Sequence, residues 1–437
     1  MQMIKQKLSK IMHNRLVKSV LVVASGTAGA QAIGMLFVPF ITRTYGPEVY
    51  GVLGAFVALT AVLTILAALC YPIAIVLPPQ DNEAKALVKL SLCIALVVSA
   101  AVALLLLLAG DWIITQLGVA ALIDFKFLIP LVMLFSACQE VSQQWLIRKK
   151  HFKGIANIAV AHAVVNYGSQ ALAGLFAPIA ALLIGIHSAA IALRASLTSH
   201  LGRKLERTKA RQSDPPPVPV SLRQVAVAYK DFPLYRAPQV VLNTASKSLP
   251  ILMLGAFFGP AVVGYYVLTR SVLGLPATLL GASVQSVFYP HFNEAVVGQR
   301  QTLPLLLKAT LGLAVIGVWP FLIIILFGPD LFAWVFGAAW QTAGQYAQWL
   351  AVWSFFALAN RPSVSAIPVF RLQAWFLNYE WVSLVLRVVA LYMGFFYFAD
   401  ALIAVALFSV VGALLNLYLV GKTLTVAQVF DREQTHE

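Results

Sequence analysis

Residues 231–292 read DFPLYRAPQVVLNTASKSLPILMLGAFFGPAVVGYYVLTRSVLGLPATLLGASVQSVFYPHF, and the rest of the chain is organised around them. They contain two apolar runs of helical length, joined by the tight turn Phe258-Gly259-Pro260. Lys247 lies inside the first run and Arg270 lies inside the second. A basic side chain near the centre of a bilayer costs roughly 2.5–3.5 kcal/mol on insertion scales, so each needs a cavity, a partner or a ligand that offsets the cost.

The composition indicates a polytopic membrane protein. Hydrophobic residues make up 60% of the 437 residues and charged residues only 11%, whereas soluble proteins are roughly 45–50% apolar. Twelve apolar runs are each long enough to cross about 30 Å of hydrocarbon. The sequence therefore predicts an all-α membrane protein without a sizeable soluble domain. The predicted spans are residues 19–42, 50–77, 86–109, 122–146, 154–175, 177–197, 237–258, 262–289, 303–327, 342–359, 373–396 and 399–421.

The basic excess follows the predicted topology. A formal net charge of +15 would suggest nucleic-acid binding in a soluble chain. With a cytoplasmic N-terminus, however, the inner segments hold 26 of the 31 Lys and Arg residues, nine of them in residues 194–236. This asymmetry is the positive-inside pattern, and it predicts that both termini are cytoplasmic. The charge therefore reflects topology and contact with membrane lipids, and we expect no nucleic-acid partner.

The chain divides into five predicted regions. Residues 1–18 place apolar side chains at helical spacing among basic ones, which predicts an amphipathic helix on the inner leaflet. Residues 19–197 hold spans 1–6 of a first lobe, and residues 237–421 hold spans 7–12 of a second lobe. Residues 198–236, basic and rich in proline, predict a cytoplasmic linker between the lobes. Residues 422–437 form a predicted cytoplasmic tail.

The two halves resemble each other in sequence. YGPEVYG at residues 45–51 matches FGPAVVG at residues 258–264, an offset of 213. A second match has an offset of 219. In it, LAGD and LG within residues 108–118 correspond to FGPD and FG within residues 327–337. Both matches fall at equivalent predicted outer loops. They therefore predict a parallel repeat of six spans, an arrangement found in many transporters.

Span 8 carries a polar and small-residue face. Positions 4, 7, 11 and 15 residues after Arg270 are Gly274, Ala277, Gly281 and Gln285, which share one face of a helix. Small residues leave room around the guanidinium. The alternative is that this face packs closely on another helix, although close packing by itself gives no use for a buried cation.

Spans 7 and 11 follow the same pattern. Span 7 has Asn243 and Lys247 on one face, and span 11 has Glu380, Ser383 and Arg387 at spacings of 3 and 7. An internal ion pair between Glu380 and Arg387 is the alternative that needs no ligand. Basic groups on several second-half helices instead predict a positive cavity for an anion such as pyrophosphate, whose oxygens an arginine can bind bidentately.

The first half is polar and nearly neutral. Span 5 carries His162, Asn166 and Gln170 on one face, and span 1 carries Gln31. An imidazole can titrate near neutral pH, so His162, with Glu380, is a candidate for coupling an ion to transport. The alternative is a histidine that is hydrogen-bonded for structural reasons.

The sequence carries no pattern of an enzyme. It has no Walker motif, no G-x-S-x-G turn and no His/Cys cluster with metal-ligand spacing. Cys70, Cys93 and Cys138 lie in or beside apolar runs without a pairing pattern. The predicted outer loops are short, which argues against a membrane glycosyl polymerase or ligase. We therefore expect a protein without catalytic activity, metal or cofactor.

Several stretches resemble one known family. They are RTYGPEVYG (43–51), YPIAIVLP (71–78), the segments DFPLYRAP, FFGPAVVGYY and SVFYP of the opening stretch, and the cluster Phe336-Gly337, Trp340 and Ala343–Tyr346. In these stretches the chain is similar to the Wzx-type flippases of lipopolysaccharide and polysaccharide synthesis. That family is part of the multidrug/oligosaccharidyl-lipid/polysaccharide exporter superfamily. The resemblance covers most of the chain and names no particular glycan.

The resemblance implies a MATE-like fold, with two six-helix lobes around a central cavity. It implies transport of an oligosaccharide on undecaprenyl pyrophosphate across the bacterial inner membrane by alternating access, for O-antigen or another surface polysaccharide. Polymerase and chain-length machinery are implied partners. Arg270 matches the pyrophosphate contact by its position, whereas span 2 offers no counterpart in the first lobe. The predicted substrate-binding residues are Arg270, Lys247, Arg387, Asn243, Gln285, Gln31 and Asn166.

A drug or cation antiporter of the same fold is the alternative function. Such a protein would be expected to place an acidic residue in the cavity of the first lobe. Spans 1, 2 and 5 contain none, so the sequence favours the flippase.

Overall fold

The computed structural model of the chain describes residues 15–436, apart from residues 211–219. It describes no side chains for residues 15–21, 23, 207–210, 276–287 and 435–436. The chain forms two compact units, Met1–Leu252 and Met253–Glu437. Most of the predicted amphipathic helix over residues 1–18, and the proline run of the predicted linker, lie outside the described residues.

The described chain consists of helices, turns and short loops, as an all-α membrane protein requires. Its α-helices are α1 (Arg15–Ala68), α2 (Tyr71–Ala74), α3 (Asp81–Gln116), α4 (Leu128–Arg148), α5 (Phe152–Phe176), α6 (Ala180–Ala210), α7 (Leu222–Ala228), α8 (Ala237–Phe258), α9 (Pro260–Val297), α10 (Leu303–Phe336), α11 (Gln341–Ala359), α12 (Arg361–Ala366), α13 (Gln373–Phe398) and α14 (Ala401–His436). Short 3₁₀ turns cover Ala120–Phe125 and Ala338–Trp340, and a π-helical turn covers Phe232–Arg236.

The long helices fall on the predicted spans. By length and composition, seven helical segments of the described chain can cross a membrane, namely those of α1, α3, α6, α8, α10, α13 and α14. Helices α4, α5, α9 and α11 lie on the remaining predicted runs. Spans 1 and 2 are merged in α1, which is broken at Gly46 by a non-helical backbone conformation (φ 72°, ψ 173°). The chain is therefore a polytopic membrane protein.

Several predicted boundaries differ from the structure, and three of the differences change how the spans are connected. Span 2 is predicted to continue to residue 77, but α1 ends at Ala68 because Leu69 and Cys70 adopt positive φ. Helix α6 continues into the predicted linker, to Ala210. Helix α14 continues through the predicted tail. There the Asp431 carboxylate accepts hydrogen bonds from the backbone N–H groups of Thr302 (2.8 Å) and Leu303 (2.9 Å), and so it caps the start of α10.

In the first unit, α1 packs along α5, and α4 packs against α3 and α6. Small residues allow the close approach of α1 and α5, since a Cβ on Gly26 would lie 2.4 Å from the Cβ of Ala156. The corner after α1 is fixed by Arg148, which forms a salt bridge with Asp81 (3.0 Å) and donates hydrogen bonds to the carbonyl oxygens of Ile75 and Pro78.

In the second unit, α10 and α11 share the most extensive contact. Gly328 and Gly344 make it possible, because a Cβ on Gly344 would lie 2.4 Å from the carbonyl oxygen of Gly328. The fully buried Trp340 lies at the turn between these helices. Helix α11 also packs against α9 and α14, so it lies among three neighbours of the unit.

The glycines of the two sequence matches share a backbone conformation. Gly46 has φ 72° and ψ 173°, and Gly259 has φ 86° and ψ 178°; each is followed by a proline that begins a helical segment. Gly118 and Gly337, from the second match, also have positive φ, and a 3₁₀ turn follows each. The two halves therefore repeat at the level of the backbone as well as in sequence.

Candidate functional site

Arg270 lies on α9 within a group of buried polar side chains of the second unit. Tyr266, one turn earlier on α9, is fully buried. Thr269 donates a hydrogen bond to the carbonyl oxygen of Ala343 on α11 (2.9 Å), which fixes this part of α9. Both Arg270 and Arg387, from α13, act electrostatically on the Tyr266 hydroxyl. The structure thus brings together two arginines that are 117 residues apart in the sequence.

The ion pair between Glu380 and Arg387, the alternative to a ligand-binding role, is absent from the described residues. Arg387 instead donates from Nε to the carbonyl oxygen of Ser383, one turn earlier on α13 (3.0 Å). Glu380 still acts electrostatically on Arg387, but more weakly than the two tyrosines, Tyr266 and Tyr379. Apart from this bond, the Arg387 guanidinium makes no hydrogen bond or ion pair with a described residue.

A cavity of about 190 Å³ lies beside Arg387, entirely within the second unit. Its walls come from α11, α12, α13 and α14, and its polar lining combines two amides, a hydroxyl, a phenol and two charged groups. They are Asn360, Asn416, Ser383, Tyr379, Glu380 and Arg387.

One buried amide of this cavity is only partly satisfied. Asn360 is 3% exposed and donates from Nδ2 to Oδ1 of Asn416 (2.8 Å), which in turn donates to the carbonyl oxygen of Gly412 (2.7 Å). Oδ1 of Asn360 has no hydrogen-bond partner among the described residues. Since a buried acceptor without a partner costs about 1–3 kcal/mol, a donor supplied by a bound molecule would stabilise this site.

Aromatic rings form the other part of the cavity lining. Trp353, Phe376 and Tyr379 all line it. Tyr379 stacks on Phe376 and Trp375 with ring centroids 5.9 and 5.6 Å apart, and its hydroxyl donates to the carbonyl oxygen of Leu415 (2.8 Å). Flat apolar faces beside amides and charged groups match a ligand that has both apolar ring faces and many hydroxyl groups.

The other predicted residues of the second half are not placed in this cavity. Lys247 and Asn243 are exposed on α8, in the part of that helix that belongs to the first unit. Gln285 lies within residues 276–287, outside the described side chains. Arg270, Arg387 and Glu380 are therefore the predicted residues that the structure brings together.

In the first half, Asn166 and Gln31 have different surroundings. Gln31 is exposed on α1. Asn166 is 4% exposed, and its Oδ1 accepts a hydrogen bond from Nε2 of Gln170 (3.0 Å). The carbonyl oxygen of Gln170 accepts from the Tyr45 hydroxyl (3.0 Å), so these residues link α5 to α1.

His162 belongs to a polar network that sequence reasoning only partly identified. Arg194 and His187, both on α6, act electrostatically on His162. Arg194 lies 3.4 Å from the Gln143 side-chain oxygen and close to Glu140, both on α4. The first unit therefore does hold a cation and a carboxylate within its helices. The sequence counts Arg194 with the cytoplasmic charges although it also falls at the end of span 177–197, and its spacing of seven from His187 places both on one helical face.

A sequence model of the family described as polysaccharide biosynthesis protein matches residues 40–345, more than half of the chain. No curated protein matches the chain significantly.

Solved structures match the chain over nearly its whole length. A multidrug resistance transporter of the MATE family and the MOP superfamily, in an inward-facing conformation, is 17% identical over 94% of this chain and 99% of its own, with a TM-score of 0.69. A MATE structure in a bent conformation is 15% identical over 98% of each chain, with a TM-score of 0.55. A MOP-superfamily transporter from Pyrococcus furiosus, described as having a binding pocket of reverse polarity that suggests a different function, is 15% identical over 96% of each chain, with a TM-score of 0.57. The chain therefore has a MATE-like fold.

Proposed function

The chain belongs to the family of polysaccharide biosynthesis proteins, and on this basis we propose that it is a flippase for lipid-linked oligosaccharides. Its substrate is an oligosaccharide on undecaprenyl pyrophosphate, which it moves from the inner to the outer leaflet of the bacterial cytoplasmic membrane by alternating access. The glycan then enters lipopolysaccharide, O-antigen or another surface polysaccharide. Polysaccharide polymerase and chain-length machinery are the partners that this role requires.

The proposal rests mainly on the two arginines of the second unit. Arg270 and Arg387 come from different helices and act on the same buried Tyr266 hydroxyl. Two cations in one apolar region repel each other and are costly to insert. A pyrophosphate would offset both effects, because it carries several negative charges and presents oxygens that guanidinium groups bind bidentately.

The neighbouring cavity supports the same substrate. Arg387 both acts on Tyr266 and lines the cavity of about 190 Å³, so a pyrophosphate at the arginines would have an attached sugar beside the amide and aromatic lining. Oδ1 of Asn360, without a partner among the described residues, would accept a hydrogen bond from a sugar hydroxyl. We propose Lys247, Asn243, Gln285, Gln31 and Asn166 as further substrate contacts, and His162 and Glu380 as residues of ion coupling.

Replacing Arg270 tests the proposal. We expect Arg270→Ala to reduce flipping about ten- to hundredfold, since a hydrogen bond to a charged group contributes about 1.5–3 kcal/mol. The measurement is transfer of a fluorescent lipid-linked oligosaccharide across proteoliposome membranes, together with surface polysaccharide in cells. Arg300→Ala removes the same charge from an exposed position after α9 and is expected to behave like the wild type.

Two results would contradict this function. One is normal flipping and normal surface polysaccharide in Arg270→Ala at unchanged protein levels. The other is efflux of cationic drugs by the wild type without any effect of its deletion on surface polysaccharide. The second result would favour the antiporter, with Glu140 of α4 as its acidic residue.

A further inference from the structure

A second candidate binding site, with both charged and apolar side chains, lies in the first unit. It is far in the sequence from the arginines of α9 and α13. Helix α4 packs against α3 and against α6, and a groove runs over α4 between these two helices. The groove contains two cavities of about 210 and 460 Å³. Both are lined by Cys138, Ser199 and Arg203, so they are parts of one continuous groove.

The mouth of the groove is charged. Lys85 of α3 and Glu206 of α6 form a salt bridge across it (3.2 Å). Since these two charges neutralise each other, Arg203 supplies the excess positive charge, and His200 lies in the adjoining cavity. Arg203 is exposed and makes neither an ion pair nor a side-chain hydrogen bond with any described residue.

Behind the charged mouth, one wall of the groove is apolar. Val88 and Leu92 of α3 and Val141 of α4 line it, and the facing hydroxyl groups of Ser142 and Ser199 are hydrogen-bonded to each other (2.8 Å). Leu92 is seven residues beyond Lys85, about 10 Å deeper along the helix. Phe135, in the adjoining cavity, is 13 residues before Arg148 at the end of α4, about 20 Å away along the helix axis. A ligand would therefore need a charged group at one end and a long apolar part.

From this arrangement we infer that the groove binds an anionic phospholipid of the surrounding membrane, such as phosphatidylglycerol. Its phosphodiester lies at Arg203, and one acyl chain lies along Val88, Leu92 and Val141. The mouth is at the end of the unit that carries Arg148 and the predicted cytoplasmic charges. Basic pockets between membrane helices at that level are suited to anionic headgroups. This site is separate from the proposed substrate site and does not depend on it.

Lipid binding to the full-length protein tests the inference. Purified, delipidated protein is titrated with phosphatidylglycerol or with phosphatidylethanolamine of the same acyl chains, and bound lipid is counted by native mass spectrometry. We expect Arg203→Ala to weaken phosphatidylglycerol binding about fivefold, which corresponds to roughly 1 kcal/mol for one basic residue near the lipid surface. Phosphatidylethanolamine binding should not change.

Matched variants locate the effect. Arg223→Ala removes a charge from an exposed position on α7 of the same unit and should bind lipid like the wild type. Leu92→Trp fills the apolar part of the groove and should weaken phosphatidylglycerol binding although all charges remain. In a Cys93→Ser background, phosphatidylglycerol should protect Cys138 from alkylation, because Cys138 lines both cavities.

Several outcomes would overturn the inference. Among them are equal affinity of the wild type for both phospholipids, equal loss of affinity in Arg203→Ala and Arg223→Ala, and alkylation of Cys138 that phosphatidylglycerol does not slow. Glycerol phosphate, which lacks acyl chains, should give no protection. Protection by undecaprenyl phosphate but not by phosphatidylglycerol would also overturn it, because the groove would then bind the transported lipid.

Discussion

Gly328 and Gly344 show how two single residues set the distance between helices. A Cβ on Gly344 would lie 2.4 Å from the carbonyl oxygen of Gly328, and a Cβ on Gly328 would lie 2.6 Å from that of Gly344. Backbone atoms cannot move aside as the end of a side chain can. Both residues are therefore required for the contact between α10 and α11, which positions α11 beside the cavity of the second unit.

We expect Gly344→Ala to destabilise the protein by about 1–3 kcal/mol, the usual cost of overpacking a well-packed contact. The measurement is the midpoint of thermal unfolding in detergent. Gly312→Ala on α10 is the matched control, because no atom lies within 4 Å of a Cβ at that position. There alanine should be neutral or should stabilise the helix by up to about 0.5–1 kcal/mol. Equal destabilisation by both substitutions would contradict this account of the contact.

Arg194 and Arg387 show which side chains sequence patterns could place. Arg387 was assigned correctly to a span, because its run is apolar on both sides. Arg194 falls at the end of predicted span 6 and is also counted with the cytoplasmic charges, because hydropathy falls near the end of α6. For Arg387, sequence spacing shows that Glu380 is on the same helical face but cannot show that the carbonyl oxygen of Ser383 accepts its hydrogen bond.

The corner between α1 and α3 depends on tertiary contacts more than on its own sequence. Leu69 and Cys70 adopt positive φ without being glycine, which is unfavourable for both residues. The short helix α2 follows at once, and Tyr71 donates a hydrogen bond to the carbonyl oxygen of Ala226 (3.1 Å). Arg148 binds the carbonyl oxygens that follow α2. These contacts hold a conformation that the local sequence does not favour.

For this corner we expect Arg148→Ala to cost about 1.5–3 kcal/mol, because it leaves the carbonyl oxygens of Ile75 and Pro78 without their charged donor, although Asp81 keeps its salt bridge to Lys149. Unfolding in detergent measures the loss. Arg148→Lys should recover only part of it, since an ammonium group cannot reach Asp81, Ile75 and Pro78 with the same geometry. Lys153→Ala, on the exposed first turn of α5, is the control and should leave the midpoint unchanged.

The positions of the helices along the chain were predictable from the sequence, and the residues at which they end were less so. Every predicted span lies mainly on helix, because an apolar run of that length has no other stable backbone conformation in lipid. The same criterion detects only the apolar part of a helix. It therefore missed the polar continuations of α6 and α14, which are helical because they pack on the protein, as the contact of Asp431 with Thr302 shows.

For the whole molecule, the basic residues predict a topology that can be measured directly. We expect a green fluorescent reporter fused after Glu437 to fluoresce, which requires a cytoplasmic C-terminus. Alkaline phosphatase fused after Gly118 or after Gly337 should be active, because both positions lie in predicted outer loops. The reverse pattern at either loop would contradict the predicted orientation.

The candidate site was less predictable than the fold at this level. Apolar runs and a repeated turn were enough to indicate two lobes of helices. The cavity beside Arg387 is built from α11, α12, α13 and α14, and its amides, Asn360 and Asn416, lie 56 residues apart. Neither residue stands out in its own helix, so only the folded unit shows that they meet.

The turns at Gly46 and Gly259 also bear on ancestry. A stretch of chain that is copied in tandem keeps the orientation of the original in the membrane only if it crosses an even number of times. Six predicted crossings per half meet this condition, so one gene segment with one distribution of basic residues was sufficient to found both halves. An odd number would have required the second copy to reverse its charge bias before it could insert. The parallel arrangement of the repeat is thus the one that duplication could produce in a single step.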